Sequence, residues 1–160
     1  MERRIGPPRP EFKTFSEPAR IVLNSAMDLA ENRHSNYAGD GHLLLALMRD
    51  DSVAQTLLKL SLDREKIERS LSYYMTPLMQ EEFGGEVKLT DTVYKIIGFA
   101  VDEAKHRKEL PSAIDLLIGV IREGKGLAAT TLQDEQLPNS LPLLETVKNV
   151  LSAKKSALSA

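Results

Sequence analysis

The chain is written twice, and this duplication constrains its fold more than any other feature. FSEPARIVLNSAMDLA (15–30) and LTDTVYKIIGFAVDEA (89–104) each open on an apolar residue followed by Ser16 or Thr90, hydroxyl residues suited to a helix N-cap. Apolar side chains then follow at i, i+3, i+4 and i+7. They are Ala19, Val22, Leu23, Ala26, Met27 and Ala30 in the first copy, and Val93, Ile96, Ile97, Ala100, Val101 and Ala104 in the second. Each set is the buried face of an amphipathic helix. The copies lie 74 residues apart.

A second pair repeats downstream. HLLLALMRDDSVAQTLL (42–58) matches DLLIGVIREGKGLAATTL (115–132), with an offset of 73 before the break and 74 after it, which marks Lys125 as an inserted turn residue. A fourth segment closes each half, DREKIERSLSYYM (63–75) and SLPLLETVKNVLSA (140–153), with Asp63 and Ser140 as N-caps and Pro142 in a first turn. One of Tyr73 and Tyr74 is expected in the core. No strand-like alternation is present. The expected fold is all-α, about eight helices arranged as two four-helix repeats around a pseudo-twofold axis. Neither half, at about 65 residues, buries enough apolar surface alone, so the two must share a core. The expected boundaries are a flexible segment at 1–13, repeat 1 at 14–75, a linker at 76–88, repeat 2 at 89–152 and a flexible tail at 153–160, with 14–152 forming one structural domain.

Composition narrows the chemistry. Lys and Arg total 21 against 23 Asp and Glu, so no basic excess points to nucleic acid. There is no Cys, which removes disulfides, thiolate metal sites and cysteine nucleophiles, and suits a reducing compartment; the expected location is the cytoplasm. No run approaches the roughly 18 apolar residues that span a bilayer. The start, MERRIGPPRPEFK, lacks the apolar stretch of a secretory signal. Three His without HExxH spacing supply no zinc ligand set, and no metal or cofactor is expected. His34 and His106 sit at the ends of the first helices, where a helix dipole favours cations. Glu81, Glu82 and Glu86 lie in the linker, which does not hold carboxylates at a fixed separation. No Gly-x-Ser-x-Gly anchors a hydrolase triad.

One motif invites a nucleotide. Residues 119–126 read GVIREGKG, a G-x-x-x-x-G-K lacking the hydroxyl residue that follows the lysine of a phosphate-binding loop. Gly119 falls inside the apolar pattern of Leu116, Leu117, Val120 and Ile121, and so inside a helix. Gly124 and Gly126 fit a helix C-terminus and turn. No nucleotide binding is expected.

Three motifs carry a family likeness: F-S-E-P-A at Phe15–Ala19, the run from Asn36 to Leu47, and L-I-G-V-I-R-E-G-K-G-L-A-A at Leu117–Ala129. Together they resemble the Clp N-terminal domain, the double four-helix module at the front of ClpA- and ClpC-type AAA+ unfoldases. The similarity runs over about residues 15–152. It implies a non-catalytic protein- or peptide-binding module, acting as adaptor, substrate receptor or accessory subunit of a Clp unfoldase–protease system. Its partners would be a Clp-type AAA+ unfoldase, its protease, or protein substrates. The start at Met1 and the lysine-bearing tail favour a free-standing copy over the N-terminal fragment of a full unfoldase. An enzyme with an unrecognised site in a helical pocket is the rival of another class, and no convergent acid, base and nucleophile supports it.

The family enters its second helix through Gly-Thr-Glu-His, and in ClpC-type domains that glutamate helps recognise phosphorylated arginine. Here the entries read Gly39-Asp40-Gly41-His42 and Ser112-Ala113-Ile114-Asp115, with Gly41 and Ile114 at the glutamate positions. Without a carboxylate the bidentate bond to a guanidinium is lost, so phosphoarginine recognition is not expected. Ser112 and Asp115 form a capping box, and Asp40 is expected to N-cap the helix carrying His42. Phe15 and Leu89 each precede an N-cap and suit a hydrophobic staple. The resemblance adds a second role, since in this family the paired helix starts flank a groove whose aromatic residues contact ligands. Phe15, Leu89 and Tyr94 are the groove residues it implies.

Overall fold

The computed structural model describes residues 12–75, 84–135, 143–145 and 147–149. The first half supplies α1 (Glu17–Asn32), β1 (Tyr37–Ala38), α2 (Asp40–Leu47), α3 (Asp51–Lys59) and α4 (Arg64–Tyr74). The second supplies β2 (Lys88–Leu89), α5 (Asp91–Arg107), α6 (Ala113–Glu123) and α7 (Leu127–Glu135). Residues 143–145 and 147–149 are also helical. The all-α expectation holds. Ser140 and Pro142 lie outside the described residues.

Local chemistry starts the helices where the duplicated pattern places them. Ser16 Oγ accepts from Ala19 N at 3.3 Å, and Thr90 Oγ1 accepts from Val93 N at 3.3 Å. Asp50 caps α3 through Val53 N, and Asp63 caps α4 through the N–H groups of Glu65 and Lys66. The first helices also end alike. His34 and Lys108, 74 residues apart, both adopt left-handed φ values of 55° and 56°. Just beyond each, Ser35 N or Glu109 N returns to the carbonyl of Ala30 or Ala104. This is the 6→1 closure of a helix end, made here without glycine.

The two strands were not visible in the pattern, because two residues have no period to read. They pair in parallel, Tyr37 with Lys88 and Ala38 with Leu89, so Lys88 is a strand residue rather than linker. The pairing is half of a reciprocal arrangement. Thr90 N donates to Ala38 O at 3.2 Å, and Ser16 N donates to Pro111 O at 3.0 Å. Each half thus ties the start of its first helix to the segment entering the second helix of the other half. The second tie does not extend into a ladder, and Pro111, standing where the first half has Ala38, has no N–H to extend it.

One hydrophobic cluster draws on both halves: Leu23, Met27, Leu43, Leu44 and Leu47 from the first, Ile96, Leu116, Leu117 and Ile118 from the second. Each of these side chains is almost wholly buried, and each contributes roughly 1.5–3 kcal/mol relative to exposure. α4 of the first half packs on α7 of the second. α5 and α6 approach so closely that a Cβ on Gly119 would lie 2.5 Å from Ile96 O. Gly119 is therefore a packing residue in α6. Gly124 caps that helix in the left-handed region at φ 75°. The G-x-x-x-x-G-K run is a helix followed by a turn.

Two core expectations fail. Tyr73 and Tyr74 are both exposed and stack edge to face, with centroids 5.1 Å apart. The buried stripe of α4, Ile67 and Leu71, continues instead to Met75, which packs on the core. Val101 is also exposed, although its counterpart Met27 is buried. The inward face of α5 is carried by Val93, Ile96, Ala100 and Ala104, and Val101 turns away from it.

Candidate functional site

The entries to α2 and α6 occupy equivalent places and are built differently. At the first, the N-cap is Gly39, not Asp40. Gly39 N donates to His42 Nδ1 at 3.1 Å, which leaves the ring proton on Nε2. Glycine has no side chain to return the bond. Burial, followed by the charge of Arg33, pushes the His42 pKa down to about 4, so the imidazole is neutral near pH 7. Asp40, freed from capping its own helix, reaches across the molecule. Its Oδ2 accepts from Ala128 N at 2.7 Å and so caps α7 of the other half. That reach requires Gly126, where a Cβ would lie 2.5 Å from the same oxygen. Glu123 Oε1 completes the turn, accepting from Gly126 N at 2.6 Å and Lys125 N at 3.2 Å.

At the second entry the capping box is complete. Asp115 N donates to Ser112 Oγ at 3.2 Å, and Asp115 Oδ2 accepts from Ser112 N and from Ser112 Oγ, both at 2.9 Å. Arg107 Nη2 adds a charged bond to the same oxygen at 2.5 Å. Asp115 is 0 % exposed. Burial works against the Arg107 charge, but the hydrogen bonds and negative charges of Asp115 and Glu109 together outweigh it and raise the guanidinium pKa. Among the described residues no cluster of three or more His, Asp, Glu or Cys is placed to hold a metal ion. No described helix is long and apolar enough to cross a membrane.

The two positions that carry the family glutamate are both interior. A Cβ on Gly41 would lie 2.7 Å from Met75 Sδ and 3.3 Å from Leu127 Cδ2, so α4 and α7 close over it. Ile114 is buried as well. Of the groove residues, Phe15 and Leu89 are buried, and Phe15 packs edge to face against Phe12 with centroids 6.1 Å apart. Tyr94 is 55 % exposed; its counterpart 74 residues earlier is Arg20. Sequence reasoning passed over Tyr37 and Leu110, 53 % and 57 % exposed. They are 73 residues apart, and each stands one residue before the carbonyl, of Ala38 or Pro111, that ties the halves together. The signal was present in the sequence: each is a large apolar residue just outside a helical period, at the same place in both copies.

Comparison with known proteins places this geometry. The model of the Clp repeat (R) N-terminal domain matches residues 14–135. The chain is 32% identical over 126 residues to "Negative regulator of genetic competence ClpC/MecB" of Bacillus subtilis (strain 168), an alignment covering 77% of this chain and 15% of that protein. The chain thus spans a small part of that relative's length. Among solved structures, the Hsp104 N-terminal domain from Candida albicans superposes with a TM-score of 0.70 at 12% identity, covering 85% of this chain and 87% of that one. The N-terminal domain of the chaperone ClpD from Arabidopsis thaliana gives a TM-score of 0.67 at 15% identity, covering 88% and 99%.

Proposed function

The chain belongs to the Clp repeat (R) N-terminal domain family, and on that premise we propose that it is a non-catalytic module that docks protein segments for a Clp-type unfoldase–protease system. The observation carrying this reading is the paired exposure of Tyr37 and Leu110 at equivalent places in the two halves, with Tyr94 on the first turns of α5. These are apolar side chains held outward, Tyr37 on β1, Tyr94 on α5 and Leu110 in the segment before the bonded Pro111, the condition for burying a partner's apolar residues. Phe15 and Leu89 support this surface from beneath, as staples that fix the starts of α1 and α5. The ligand is an apolar peptide segment rather than a phosphorylated arginine. Neither Gly41 nor Ile114 offers a carboxylate, and the Gly41 position is overlaid by Met75 and Leu127.

The test is affinity capture with mass spectrometry, comparing the wild type with the surface variant Tyr37→Asp/Leu110→Asp. A Clp unfoldase, its protease or a discrete set of substrates held by the wild type and released by the variant is the expected outcome. Identical capture by the two baits would refute the docking surface.

A further inference from the structure

α5 carries a glycine whose position the fold does not explain. Gly98 lies mid-helix and exposed, and among the described residues no heavy atom beyond its chain neighbours and the adjoining helix backbone stands within 4 Å of where its Cβ would be. A helix-interior glycine costs about 1 kcal/mol relative to alanine. Gly119 offsets that cost by admitting α5 against α6; Gly98 admits nothing from the described residues of its own chain.

Its surroundings are equally outward. At 100° per residue, Asp91, Tyr94, Lys95, Gly98, Val101, Asp102 and Lys105 all project opposite to the buried Val93, Ile96, Ala100 and Ala104. All seven are exposed. Tyr94 and Val101 flank the glycine on one side of this face, Lys95 and Asp102 on the other, and Asp91 and Lys105 mark its two ends. Asp102 is held in place by Arg122 Nη1 at 3.0 Å, with its side chain half exposed.

We propose that this face pairs with the same face of a second copy of the chain, the two α5 helices running antiparallel about a twofold axis at Gly98. The order of residues is self-complementary under that operation. Position 98 meets itself, Tyr94 meets Val101, Lys95 meets Asp102, and Asp91 meets Lys105. Each apolar side chain finds an apolar partner, and each charge finds its opposite, as an isologous interface requires. The glycine lets the backbones approach toward the near end of the 8–10 Å range of helix packing. One helix pair buries less than the ~1,200 Å² of a standard interface, so the dimer is transient and fills at about 100 μM and above. It also covers Tyr94, so self-association competes with the docking surface proposed above. The two readings fail separately, because the pairing needs no partner protein.

The chain has no cysteine, so single-cysteine variants report the geometry without background. Only a residue on the twofold axis forms a symmetric disulfide readily, because the two Cα atoms must come within about 7 Å. Under mild oxidation, Gly98→Cys forms a covalent dimer about tenfold faster than Glu65→Cys on α4 if the axis lies there. In sedimentation equilibrium, Gly98→Leu, whose side chain enters open space and leaves the fold intact, stays monomeric. Asp91→Lys places like charges at both ends and weakens association about tenfold, and Asp91→Lys/Lys105→Asp restores it. Equal oxidation rates for the two cysteine variants, or wild-type association by Gly98→Leu, would overturn the proposal.

Discussion

The entries to α2 and α6 solve one problem with different chemistry. Both must satisfy the first backbone N–H groups of a buried helix. The second half uses a carboxylate that collects three donors from Ser112 and Arg107. The first half uses a neutral imidazole and a glycine, and sends its carboxylate, Asp40, to a helix of the other half. Duplication preserved the geometry of the fold while the charges were redistributed. The second entry is self-sufficient, and the first contributes to the joint between halves.

The largest expected effect tests that self-sufficiency. Asp115→Ala takes from Arg107 its buried partner, leaving the guanidinium only Glu109 and the carbonyl of Glu103, and removes half of the capping box. Breaking such a pair from one side costs about 3–5 kcal/mol, readable in urea unfolding. A cost below about 1 kcal/mol would mean that the polar cluster is dispensable. Next is Gly119→Ala, which gives the second half the residue that the first has at Ala46. With Ile96 O in the way, overpacking costs about 1–3 kcal/mol, and Ala46→Gly should cost only about 1 kcal/mol, so the two swaps are not mirror images.

The third contrast is in pH. His42 has its pKa lowered in the folded protein, from an unperturbed 6.5 to about 4. Its contribution is complete above pH 6.5 and is lost as the pH falls toward 4, because the unfolded chain takes up the proton first. After allowance for solvent screening the loss is about 2 kcal/mol or less, and His42→Gln should flatten the stability profile across that window. The smallest effect sharpens the comparison most. Asp40→Ala removes a cap worth about 1 kcal/mol, and hydrogen exchange should speed up at the start of α7 rather than in α2. Faster exchange in α2 alone would return Asp40 to its own helix.

The periodicity of Val22, Leu23, Ala26 and Met27, and its copy 74 residues on, made the helices and the shared core readable in advance. Ser16, Thr90 and Ser112 announced their caps because N-capping is decided within four residues. Asp40 was misassigned because its partner, Ala128, lies 88 residues away. Local sequence offered a plausible nearer one. Tyr73 and Tyr74 misled for a related reason: apolar character says that a side chain gains from burial, not that a neighbouring helix reaches far enough to cover it. Of the implied groove residues, Tyr94 is outward and Phe15 and Leu89 are interior, a distinction set by how the halves dock.

The crossed bonds of Ser16 with Pro111 and Thr90 with Ala38 have a further consequence. In effect the domain is a dimer whose two subunits share one chain, each contributing a helix start to the other. The covalent connection between Met75 and Gly84 then acts as a tether, turning an association between molecules into one governed by effective concentration. Severed there, the protein becomes two fragments whose assembly depends on dilution, and the interface that reunites them is the protein's own core.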